Sequence, residues 1–280
     1  MTWLQLSLKG EIWAEYGLGL RFPRLFRRAY PMRGGGRVSK VLYWMNKCRL
    51  DGLLLKHVDS SSLKVSHTGF EDVAFFYPAA SRSTTRYYGY RVKDGAAVSY
   101  LKFATTPAEA SLIRREVANT RFAERIPNRS FGVPHCRDCR EIGESGHCFA
   151  EFDLLPESAV TIQSSQEIDV KVEKVRRQIA DAGFVHGDFA AQNIKVDSSG
   201  RLWVIDWEEA SGELPSLCDE ISYWTAMEHY GRGVPLSGVW ESFKRRYLDR
   251  GDLKDDARAA LQSMAERKIA MGRELLAMWR

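Results

Sequence analysis

From about Phe70 onward, short strand-like runs bounded by turn residues alternate with longer stretches of helical period. EDVAFFYP (71–78) and RYYGYRV (86–92) predict strands separated by the loop SRSTT. After the turn KDG, AAVSYLKFA (96–104) predicts a third strand. Pro107 stands at a first helical turn and opens PAEASLIRREVANTRFAER, whose Leu112, Ile113, Val117 and Phe122 mark an apolar face. FGVPHCRDCREIGESGHCFAEFDLL (131–155) predicts two strands joined by a glycine-containing turn, and a helix follows at about 166–182. Residues 214–280 read as helices with breaks near Gly231–Pro235 and Gly251. Upstream, 38–55 predicts a helix with Val41, Leu42, Met45, Cys48 and Leu55 roughly on one face. The order is five strands with one inserted helix, then mostly helix around a short hairpin. It predicts an α+β fold: a small antiparallel-sheet lobe at 58–154 and a larger helical lobe at 155–280. Clefts between such lobes are common ligand sites.

Composition adds little to that order, but charge does. The 280 residues are 44% hydrophobic, enough for one large core or two modest ones. Net charge is +5. Residues 1–57 hold eleven Lys and Arg against three Asp and Glu, while the remainder of the chain is slightly acidic. The basic excess therefore belongs to an N-terminal extension, 1–57, rich in Trp, Phe and Tyr. Such a segment suits an anionic membrane surface, an acidic polymer, or packing as a solvated arm. Nucleic acid is an unlikely partner, because no recognition module accompanies the charge. No apolar run approaches the roughly 18 residues of a membrane span. Lys9, Glu11 and Glu15 interrupt any secretory core, so a cytoplasmic protein is expected. Five cysteines, an odd number, fit reduced thiols better than a disulfide framework.

The segment FVHGDFAAQNIKVDSSGRLWVIDWE (184–208) sets polar groups among strand-like apolar runs. His186, Asp188 and Asn193 form H-x-D-x-x-x-x-N, and Asp206 ends the run RLWVID. Singly, these residues read as turn formers or a strand-end cap. Four of them around a tight VDSSG turn read as groups gathered at one place. One carboxylate to orient a hydroxyl and accept its proton, with a second carboxylate and an amide oxygen to hold Mg2+, is what phosphoryl transfer requires. The oxygen donors are too hard a set for zinc.

HGDFAAQN followed by VIDWE resembles the aminoglycoside phosphotransferase and choline kinase family, with its lipopolysaccharide-kinase relatives. The resemblance, over about 70–230, implies a protein-kinase-like bilobal fold with ATP and Mg2+ in the cleft. Position by position it implies Asp188 as the catalytic aspartate, Asn193 and Asp206 as metal ligands, and His186 as a brace of the catalytic loop. Asp219, in SLCDEISYW, matches an aspartate that pins that loop. Upstream it implies a strand lysine, Lys102, held toward the α- and β-phosphates by a helical glutamate, Glu116, with Glu109 a competitor on the same helix. EFDLL falls at the hinge, where the backbone at Glu151 and Asp153 would meet adenine. The phosphate-covering loop has no glycine before Gly89; Ser81, Ser83 and Thr84 are its small residues. Ala190 stands where serine/threonine protein kinases carry lysine, and Trp207–Glu208 where protein kinases carry Phe-Gly. Both departures point to a small-molecule or glycoconjugate acceptor, with a sugar of an envelope polysaccharide or lipopolysaccharide favoured over an aminoglycoside. The glycine-poor loop keeps a second class open, a scaffold that retains the fold without transfer.

One further group stands apart. Cys136, Cys139, His147 and Cys148 offer zinc-type ligands, although the adjacency of His147 and Cys148 makes a single tetrahedral site awkward. Cysteines packed in a hairpin are the alternative.

Overall fold

The computed structural model describes residues 2–8, 11–17, 56–59, 73–76 and 86–279, apart from 95, 143–145, 250 and 268. The chain divides into two units, Met1–Arg114 with Cys136–Leu154 and Arg115–His135 with Leu155–Arg280.

The first unit is built on an antiparallel sheet. Its strands are β1 (Thr2–Leu8), β2 (Glu11–Gly17), β3 (Lys56–Asp59), β4 (Val73–Phe76), β5 (Arg86–Lys93) and β6 (Ala96–Ala104). Past β7 (Phe131–Gly132), which belongs to the second unit, come β8 (Cys136–Ile142) and β9 (His147–Phe152). The order is β3-β1-β2-β4-β5-β6-β9-β8. Strands β4, β5, β6, β8 and β9 lie where the hydrophobic pattern predicts them. Proline splits the predicted strand at 131: Pro134 has no N–H for a ladder, and the chain resumes pairing at Cys136.

β1, β2 and the start of β3 lie inside the range 1–57 assigned by charge to an extension. β1 pairs with both β2 and β3, and β2 with β4, so these stretches are sheet rather than a separate arm. The helix expected at 38–55 falls outside the described residues.

The helix α1 (Pro107–Glu124) starts in the first unit and ends in the second. Its buried stripe is Ala110, Ile113, Glu116, Val117, Thr120 and Ala123, at the i, i+3, i+4 spacing of one helical face. Phe122 is not in that stripe. It is exposed and lies against Phe184, ring centroids 4.4 Å apart.

In the second unit, β10 (Val160–Thr161), β11 (Ile194–Val196), β12 (Leu202–Val204) and β7 form a four-stranded sheet in the order β10-β11-β12-β7, with β12 and β7 parallel. That pairing, with the end of α1, is why the unit boundary differs from the single cut expected at 154–155. The helix α2 (Gln166–Asp181) is capped by Ser165, whose hydroxyl accepts the Ile168 N–H at 3.2 Å. It ends at Gly183 (φ +74), where the Gly183 and Phe184 N–H groups bond back to Ala180 and Ile179. Val172, Val175 and Ile179 of α2 pack with Phe131, Phe189, Ile194, Val204 and Trp207. The helices α3 (Leu217–Ala226), α4 (Leu236–Phe243), α5 (Lys254–Glu266) and α6 (Ala270–Trp279) enclose a second core around Ile221, Phe243, Tyr247, Leu261 and Leu275. Among the described residues, no helix is long and apolar enough to cross a membrane.

Candidate functional site

α2 delivers the chain into β-bridge pairing between Val185 and Ser211, and the loop 186–193 follows. Phe189, wholly buried in the core, anchors its middle, and a one-turn helix (Ala191–Asn193) leads into β11. Asp197 closes the β11–β12 hairpin: its carboxylate accepts from Ser199 and from the Trp203 indole at 2.9 Å, which holds it down at about 2. The hairpin's return strand brings Asp206 back to the loop.

Asn193 donates its amide N–H groups to the carbonyl of Asp188 at 2.9 Å and to its carboxylate at 3.0 Å. That fixes the carboxylate and leaves the amide oxygen of Asn193 as a donor atom for a cation. Burial, and then the negative charge of Asp206, push Asp188 up to about 6, against the pull of Asn193. Asp206 itself has left-handed backbone, φ 66 and ψ 58. For a residue other than glycine this costs about 1–2 kcal/mol and must be imposed by the surroundings. Carboxylate oxygens of Glu116, Asp206 and Glu208 lie within 4.8 Å of one another. Clustered hard oxygen donors suit Mg2+. The residues present therefore fit the metal that the sequence implies.

His186 and Asp219 hold the loop from behind. His186 is wholly buried, donates from Nε2 to the Ile205 carbonyl at 3.1 Å and packs against Trp207, ring centroids 4.7 Å apart. Burial pushes it down to about 4, so it is a neutral imidazole. Asp219 sits in the first turn of α3, and its two carboxylate oxygens accept the N–H groups of His186 and Gly187, each at 2.8 Å. Burial pushes Asp219 up to about 7, against both of those donors. Gly187 has φ +84, and a Cβ there would stand 2.5 Å from the Glu209 carbonyl oxygen. Gly187→Ala is expected to cost about 2–3 kcal/mol, from strain and overlap together. Urea unfolding measures it.

Lys102 is buried. It lies in the buried half of β6, opposite Tyr88 and Ala150, with Nζ 5.8 Å from the Tyr88 ring centroid. Of the two helical glutamates, Glu109 is ion-paired to Arg86 at 2.7 Å, and Glu116, buried, lies near the half-buried Asp206 and Glu208. At the expected hinge, the Glu151 carboxylate faces Arg91 at 3.7 Å and Asp153 pairs with Arg137. Ser81, Ser83 and Thr84 lie outside the described residues. Cys136, Cys139, His147 and Cys148 form no ligand cluster; among the described residues only Glu116, Asp206 and Glu208 do. Cys136 and Cys148 are buried in the β8–β9 hairpin, which matches the packed-cysteine alternative.

Residues that the pattern did not single out also converge here. Arg115, Asn119 and Arg267 contact the turn after Asp206. Arg115 and Asn119 stand on polar positions of α1 and Arg267 just past α5, with no local signal to distinguish them. A cavity of about 1480 Å³ opens beside the loop, lined in part by Gln163, Asp169, Ala191, Gln192, Tyr230 and Arg232.

Neither a family model nor a curated protein sequence matches this chain. Among solved structures it is similar to the crystal structure of WbdD, at TM-score 0.40 and 16% identity, over 75% of this chain and 46% of that one. The chain thus spans less than half the length of that protein.

Proposed function

We propose that this chain is a kinase-like phosphotransferase that moves the γ-phosphate of ATP, with Mg2+, to a hydroxyl of a small molecule or glycoconjugate. The observation that carries this reading is the gathering of Asp188, Asn193 and Asp206 in one unit, with Asn193 fixing the carboxylate of Asp188. Asp188 orients the acceptor hydroxyl and takes its proton as the oxygen attacks phosphorus in line with the departing ADP oxygen. Asp206 and the amide oxygen of Asn193, with Glu116 and Glu208 beside Asp206, are the residues that would hold Mg2+. Once bound there, the ion would neutralise charge on the phosphates. Lys102 is the residue that the sequence assigns to the α- and β-phosphates. Because the work is positioning and charge neutralisation, no covalent enzyme intermediate is needed.

A sugar of an envelope polysaccharide or lipopolysaccharide is the acceptor class we favour. The cavity beside Ala191 and Gln192 is lined by none of Asp188, Asn193 and Asp206, so its size does not define the acceptor. The basic, aromatic N-terminal residues, held on anionic lipid, would keep the enzyme near such an acceptor.

ATP with Mg2+ is expected to raise the melting temperature by several degrees, since a ligand at a hundredfold excess over its Kd stabilises by about 2.7 kcal/mol. Asp206→Ala should abolish that shift. Absence of a Mg2+-dependent shift in the unaltered chain would favour the scaffold. Incubation with labelled ATP and sugar, aminoglycoside, choline or peptide acceptors then identifies the substrate class; label appearing only on peptide overturns the sugar assignment.

A further inference from the structure

The four residues after Asp206 are bound through their backbone carbonyls by side chains of α1 and of Arg267, at the end of α5. The Trp207–Glu209 turn is closed by the Ala210 N–H on the Trp207 carbonyl at 3.2 Å. The side-chain amide of Asn119 donates to the Trp207 carbonyl at 2.9 Å and to the Ala210 carbonyl at 2.8 Å, gripping both ends of that turn. One turn earlier on α1, Arg115 donates to the Glu208 carbonyl and pairs with the Glu209 carboxylate at 3.2 Å. Arg267, just past α5, donates to the Glu209 carbonyl at 2.8 Å. Upstream of Asp206, the Ile205 N–H bonds the Asn193 carbonyl at 3.0 Å, and the Trp207 indole reaches back to the Val204 carbonyl at 3.1 Å.

Asp206 is therefore strung between a hairpin held by Asn193 and a turn held by α1. Its left-handed conformation is what the two anchors leave it. α1 also contributes Glu116, three residues before Asn119 and so on the same side of the helix. One helix thus supplies a carboxylate to the cluster and sets the backbone of the residue it meets there.

We propose that Asn119 is a positioning residue for the cation site: by clamping both ends of the 207–210 turn, it fixes the backbone that aims the Asp206 carboxylate at Glu116 and Glu208. The clamp needs two N–H donors on one short arm. Aspartate would present oxygen to two carbonyls, and leucine fills the space without donating. Groups that orient a metal ligand typically change metal affinity about 10- to 100-fold when removed.

This inference rests on the proposed metal-dependent reading, and its test separates the two. Mn2+ binding to the full chain without nucleotide is followed by loss of the free-ion electron paramagnetic resonance signal. The unaltered chain is expected to bind, Asp206→Ala to lose binding, and Asn119→Leu to bind about 10- to 100-fold more weakly. Asn119→Gln keeps both donors on a longer arm and should fall between, including where Asn119→Leu folds poorly. In transfer assays, the Mg2+ concentration for half-maximal rate should rise for Asn119→Leu by a similar factor, while kcat at saturating Mg2+ stays within about threefold of the unaltered chain. Uptake by Asn119→Leu and Asn119→Gln equal to that of the unaltered chain overturns the clamp alone. No uptake by the unaltered chain overturns the metal reading and the clamp with it.

Discussion

Asp188→Asn is expected to lower phosphate transfer by about 10²–10⁴-fold, the usual contribution of a positioned general base. The substitution is nearly isosteric, and the introduced amide oxygen can still accept from Asn193. Positioning is largely kept, and what is lost is the capacity to take a proton. The thermal shift with MgATP should survive, because Asp188 is not among the residues assigned to the cation. Removing one carboxylate beside Asp206 also relieves part of the repulsion that pushes Asp188 up to about 6, so the variant should fold at least as well as the unaltered chain. Transfer of labelled phosphate and the melting temperature are the two measurements. A variant that retains more than about a tenth of the activity is incompatible with Asp188 as the base.

The second large effect is on the fold of the loop. Asp219→Ala is expected to cost about 3–5 kcal/mol in urea unfolding, because two buried N–H groups, of His186 and Gly187, lose their acceptors at once. Against a typical total of about 5–15 kcal/mol this is a large share. Asp219→Asn keeps one oxygen and turns an NH2 toward the other donor, so about half that loss is expected. Transfer should fall in both variants, more steeply in the first, because Gly187 and Asp188 are adjacent and the same two hydrogen bonds set the path of both. Transfer unchanged in a destabilised Asp219→Ala would separate Asp219 from the loop's function and leave it a purely structural group.

The elements most legible from the pattern are those whose signal is local. β5 and β6 are short runs rich in aromatic and β-branched residues joined by a turn, and α1 opens on a proline. α2 has a serine cap at one end and a glycine at the other. Asp188, Asn193 and Asp206 were legible as a group because one loop and one tight hairpin separate them, so short-range geometry brings them together. β1 and β2 were not, because positive charge and aromatic content dominated the reading of 1–57, while their pairing with β3 and β4 spans many residues. The face of α1 was misjudged at Phe122 for a related reason. Periodicity marks which residues are apolar, but the neighbours decide which side is covered, and here Phe184 offered Phe122 a partner at the surface.

For this chain, sequence alone determined the α+β order of elements, the loop-and-hairpin pairing of two aspartates with an asparagine, and the turn that joins them. Tertiary structure decided which of Glu109 and Glu116 joins Asp206, how Asp219 grips the loop from another helix, and which polar side chains of α1 hold the turn after Asp206. The division follows reach. Periodicity, caps and turns are written within a few residues, whereas a buried carboxylate's partner is fixed only when distant segments pack and every donor and acceptor between them must be satisfied.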